Sequence, residues 1–195
     1  AYKIADYVNY GTAKTPVYGV KTAAGANRTK LAAALTTAGF QNVPIDGTTD
    51  LMAWAMNQKT TTDTDGTVTQ VQFDQSETRP WNDPSVTRKF ADALQAGNPF
   101  TAAADPFVLN KATGNDTNGW IATNKTVLTA GVYLFLDGNA STDTLTQAVP
   151  MIVSTGSVND KGVLSLGDST AEVDMKSTVS GPQTKSTTSK SASVR

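Results

Sequence analysis

The sequence predicts an α+β fold, mostly antiparallel sheet of sandwich-like character, with about three helices concentrated in the first half. Two β-rich apolar strings, Val132-Tyr133-Leu134-Phe135-Leu136 and Val149-Pro150-Met151-Ile152-Val153, flank a polar Gly/Asn/Ser/Thr segment and read as neighbouring strands. Capped helical patterns fall before Asn98, whereas beyond it short β-like pieces alternate with Gly, Asn, Asp and Ser clusters. Segregation of helices from strands places the helices on one side or end of an antiparallel sheet system.

Taken in order, Tyr2 to Tyr10 alternates loosely and stops at Gly11, and Val17-Tyr18-Gly19-Val20 resumes beyond Pro16, giving a strand, a turn and a second strand or edge. Asn27 is placed to cap a helix over Arg28 to Ala38, with Leu31, Ala34, Leu35 and Ala38 on one face and Gly39 at the position that favours a left-handed backbone. Thr49-Asp50 opens a shorter helical pattern through Leu51, Met52, Trp54, Ala55 and Met56, ending near Gln58. Residues 60–67 read as a polar turn, and Val68 to Phe73 returns to period two as a hairpin arm or edge strand. Asp83 caps a third helix with Pro84 at its first position, where a missing N–H costs nothing, and Gly97 closes it after Val86, Phe90, Ala93 and Leu94. Strand-like pieces follow at Phe107 to Leu109, Trp120 to Thr123, Val132 to Leu136, Met151 to Val153, Gly162 to Leu166 and Glu172 to Met175.

Composition narrows the function classes. The chain has 195 residues and 38% hydrophobic content, enough for one core with a tail, so residues 1–176 read as one globular domain. Residues 177–195, a Ser/Thr/Lys run with little to bury, read as a mobile tail or the start of a following domain. A net charge of -1 with 17% charged residues gives no electrostatic footprint for nucleic acid, and no apolar run is long enough to insert in a membrane. Without cysteine or histidine there is no disulfide, no thiolate or imidazole metal site and no histidine base, and no cofactor is expected. With 31 threonines, the surface relies on neutral polar groups, as in many secreted and cell-surface proteins.

The segments Tyr2-Lys3-Ile4-Ala5-Asp6-Tyr7, Ala32-Ala33-Ala34-Leu35-Thr36-Thr37-Ala38-Gly39-Phe40, Met52-Ala53-Trp54, Pro80-Trp81, and the strand pair Gly131-Val132-Tyr133-Leu134-Phe135-Leu136-Asp137 and Val149-Pro150-Met151-Ile152-Val153-Ser154-Thr155 occur in that order. Together they resemble the N-terminal domain of sortase-assembled, isopeptide-forming fimbrial (pilin) subunits of Gram-positive, actinobacterial type, over roughly Tyr2 to Met175. The resemblance implies a non-catalytic extracellular protein of the cell wall or fimbrium, joined by sortase to neighbouring pilin subunits and serving adhesion. It also implies an acceptor lysine near the end of the module. The nearest is Lys176, where Asp174 and Met175 stand in place of the family's aromatic and proline; the other reading of Lys176 is a solvated lysine at the domain boundary. Lys185, in Pro182-Gln183-Thr184-Lys185, resembles the isopeptide-forming lysine of a following, truncated domain.

An internal isopeptide within residues 1–175 would need a buried neutral lysine amine, an asparagine or aspartate and an acidic catalyst; Lys3 and Lys125 are the strand candidates, and the expectation is that no bond forms. Asp63-Thr64-Asp65-Gly66 has the start of a calcium loop, but Gln72 stands where a bidentate glutamate is needed, so a plain turn is expected. Glu77, Glu172 and the aspartates form no glycosidase signature, and no enzyme is expected. Trp54 is expected in the core. Trp81 and Trp120 lie near turns and, with the 110–119 loop, are the candidates for a tip module that binds host glycan or extracellular matrix protein, the alternative reading to core packing. Asn27, Asn115, Asn124 and Asn139 match the N-glycosylation pattern by chance in so threonine-rich a chain.

Overall fold

The computed structural model describes residues 1–111, 120–122, 128–138, 146–166 and 177–179, the side chains of several short strand residues excepted. Its centre is a sheet in the order β2-β1-β7-β9, formed by β1 (Tyr2–Asn9), β2 (Tyr18–Thr22), β7 (Gly131–Phe135) and β9 (Met151–Ser154). The helices are α1 (Arg28–Ala38), α2 (Leu51–Ala55) and α3 (Pro84–Ala96), so the fold is α+β and mostly sheet, with its helices in the first half. Hairpins complete it: β3 (Gln58–Thr62) with β4 (Val68–Phe73), β5 (Leu109–Lys111) with β6 (Trp120–Ala122), and β10 (Gly156–Val158) with β11 (Leu164–Leu166). A further pair joins β8 (Thr146–Ala148) to β12 (Ser177–Val179). Every pairing among the described residues is antiparallel.

The caps account for the helix ends. Asn27 accepts from the Lys30 N–H at 3.0 Å, and Gly39 adopts φ 107°, a conformation that costs a side-chain-bearing residue steric energy, while its N–H satisfies the last-turn carbonyls. Asp83 caps α3 through the Ser85 N–H at 2.8 Å, with Pro84 following it. Asp50 caps α2 through Ala53 N–H, and α2 ends at Ala55, before the expected Gln58, because Asn57 turns to φ 60° and Gln58 already belongs to β3.

The helices cover one face of the central sheet. Leu31, Leu35, Phe90 and Leu94 from α1 and α3, Leu51 and Met52 from α2, and Ile4, Val20, Val132 and Leu134 from the sheet form one buried cluster. Each of these side chains is worth about 1.5–3 kcal/mol in removal from water, so this contact sets the stability of the domain. An aromatic row runs through the layer: Trp54 lies 5.9 Å from Phe40, Phe40 6.3 Å from Phe90, and Phe90 6.1 Å from Trp81.

Two segments depart from expectation. Thr60-Thr61-Thr62, read as part of a turn, are the end of β3, because β-branched threonines suit a pleated, exposed strand and the turn proper is held by Asp63 and Gly66. Ser177–Val179, placed by composition at the head of the tail, form β12 against β8. Neighbouring β-strings were expected at 132–136 and 149–153, and they pair as β7 and β9, with Tyr133 opposite Val153 and Leu134 opposite Ile152. The piece expected at 172–175 lies outside the described residues.

Candidate functional site

The face of the sheet turned away from the helices carries a polar cluster whose origin is a register shift in β1. Tyr2 pairs with Leu134 and Lys3 with Tyr133, after which the register skips Ile4 and resumes with Ala5 opposite Val132 and Asp6 opposite Gly131. In a regular strand, residues three apart point to opposite faces. The extra residue cancels that, so Lys3 and Asp6 emerge on one face together, while Ile4 and Ala5 are both buried. The signal was present in the sequence: an apolar doublet, Ile4-Ala5, interrupts a period-two pattern between two charged residues.

Lys3 Nζ donates to Asp6 Oδ1 and, at 2.6 Å, to Thr129 Oγ1, and it lies 5.8 Å from the centroid of the Tyr133 ring. The Tyr133 hydroxyl donates to the Thr129 carbonyl, so the buried phenol is satisfied and anchors the Thr129 backbone. Gly131 is what lets the lysine stem cross: a Cβ there would sit 2.6 Å from the Ala5 carbonyl oxygen and 2.7 Å from Lys3 Cε. The side chain of Lys3 is 18% exposed and that of Asp6 40%. Beside the cluster opens a cleft of about 320 Å³ whose walls include Ala23, Ala24, Ala102, Ala103 and Leu128.

The cluster does not meet the chemical requirement for isopeptide formation at Lys3. That condensation needs a protonated carboxyl and a neutral amine among apolar groups, whereas here a partly exposed carboxylate sits in an ion pair with the ammonium.

The other sequence-predicted residues are placed as follows. Trp81, in a 3₁₀ turn at Pro80–Asn82, is half-buried and edge-on to Phe90, so its ring faces the core's aromatic row. Trp120 begins β6 opposite Lys111, on a different hairpin from the turn that holds Trp81. Lys176, Lys185, Lys125, and most of the 110–119 loop lie outside the described residues. Asp63 and Asp65 both accept from the Thr67 N–H, at 3.0 and 2.9 Å, which makes the segment a hairpin turn; bonding with Asp63 and Thr67 pulls the Asp65 carboxyl down to about 2. Asn27, the one glycosylation match among the described residues, spends its side-chain oxygen on the α1 cap.

Comparison with protein-family models, with curated proteins and with solved structures finds no match to this chain.

Proposed function

We infer that the chain is a non-catalytic structural module of a cell-surface fimbria or wall-anchored adhesin, carried outside the cell and linked to neighbouring subunits by sortase. The observation that carries the reading is the convergence of the family-like segments on one core. The segments from β1, β7 and β9 lie side by side in the central sheet, and in the aromatic row Phe40 and Trp81 meet Phe90 while Trp54 meets Phe40. Segments that pack on one another must be kept compatible, which is the physical reason a family pattern would retain them together. An antiparallel sheet with helices packed on one face suits a load-bearing module, since many ladder hydrogen bonds must yield at once.

The test is to express the parent gene with a pilus-type sortase and examine wall extracts on denaturing gels. The expected result is a covalent ladder that collapses in Lys176→Ala. A ladder unchanged by that substitution removes the acceptor role of Lys176, and absence of any sortase-dependent high-mass species overturns the fimbrial reading.

A further inference from the structure

We propose that the cleft beside Lys3 and Asp6 binds one neutral sugar ring through a pair of adjacent hydroxyls. The argument begins with what the cleft offers. Among the described residues, Lys3 Nζ commits two of its three protons, to Asp6 and Thr129, and Asp6 Oδ2 has no hydrogen-bond partner. Among the described residues, therefore, an uncommitted ammonium N–H and an uncommitted carboxylate oxygen belong to two residues that line the cleft, with Thr129 as a third. One hydroxyl of a vicinal diol accepts from the ammonium while its neighbour donates to the carboxylate, and neither act breaks the existing ion pair.

The same geometry disfavours other ligands. An anion accepting from the ammonium meets the repulsion of the Asp6 carboxylate beside it, and a cation at Asp6 meets that of the Lys3 ammonium, whereas a neutral hydroxyl meets neither. An extended peptide needs free backbone donors and acceptors, but β1 lies between β2 and β7, with both its edges consumed in the ladder. A cleft of about 320 Å³ is at the small end of ligand pockets, the size for one or two rings. Its alanine walls let a ring approach the backbone closely. Trp81, one of the residues that the sequence nominated for glycan contact, is not part of this lining.

Titration of the ¹⁵N-labelled chain with methyl glycosides of glucose, galactose, mannose and N-acetylglucosamine tests the proposal, with sialic acid and a neutral tripeptide as comparators. At least one neutral glycoside is expected to shift the amides of Lys3, Asp6, Thr129 and Tyr133 saturably. Lys3→Met and Ala24→Leu are each expected to weaken that binding about tenfold or more, the first by removing the charged donor and the second by filling the cleft from an exposed turn. Because the ion pair is partly exposed, Lys3→Met is expected to remain folded, as judged by a dispersed spectrum. The proposal is overturned if no neutral glycoside shifts these amides, if sialic acid or the peptide binds there more tightly, or if Ala24→Leu binds as well as the parent.

Discussion

The two faces of the central sheet are made by alternate residues of the same strands, and they have opposite characters. On one, Val132 and Leu134 are sealed beneath α1 and α3, with exposures of 1% and 0%. On the other, Gly131 and Tyr133 support a lysine, an aspartate and a threonine beside an open cleft. The difference teaches that one face supplies stability while the other is free to carry polar chemistry. A single bulged residue, Ile4, divides the two by sending its own side chain inward and allowing both charged neighbours out.

The comparison breaks first at the sealed face. Leu134→Ala is expected to cost about 2–5 kcal/mol in urea denaturation, the range for a buried leucine whose site cannot fully collapse. A loss well under that range would mean that the helices do not hold the sheet as described. Gly131→Ala, on the cleft face of the neighbouring position, should cost about 1–3 kcal/mol because the new methyl meets the Ala5 carbonyl and the lysine stem. It should also displace the Lys3 side chain, visible as altered Lys3 and Thr129 resonances, and a neutral result would remove Gly131 from the account of the cleft.

Acid gives the smallest effect. Among the described residues no charged side chain is buried, so protons reach the helical layer at its rim. There Asp46 accepts from the Thr49 hydroxyl, the Thr49 N–H and the Thr48 N–H, which holds its carboxyl well below the ordinary carboxylate range. A carboxyl with a depressed folded-state pKa stabilises above its unfolded pKa, and that contribution drains away as pH falls below about 4. Asp46→Asn should therefore flatten part of the decline in denaturation midpoint between neutral pH and pH of about 2. An acid limb as steep in the variant as in the parent would assign the decline elsewhere.

Local signals carried much of this architecture. Asn27 and Gly39 bracket α1, and Asp83-Pro84 with Gly97 bracket α3, because caps and proline act through a few neighbouring backbone groups. The apolar strings of β7 and β9 were legible for the same reason. What escaped depends on distance in the chain. β3 was hidden because a threonine run suits both turn and strand until a partner strand decides. The Lys3, Asp6 and Thr129 cluster was hidden because spacing of three in a strand denotes opposite faces unless a bulge intervenes, and because Thr129 arrives from more than a hundred residues away. For Trp81, core packing was the reading and ligand contact the alternative, and its ring lies edge-on to Phe90 of the following helix.

One side chain joins two of these elements. Asp50 caps α2 through the Ala53 N–H and also receives the Thr22 N–H, at 3.0 and 2.9 Å, and the Thr22 hydroxyl, closing the outer margin of β2 where Gln58 takes the Val20 N–H. Loss of that carboxylate would fray the helix and bare the Thr22 strand amide in the same event. The Thr22 end of the outer margin of β2 is thus guarded against intermolecular pairing by the cap of a five-residue helix, and the Val20 end by a residue of β3.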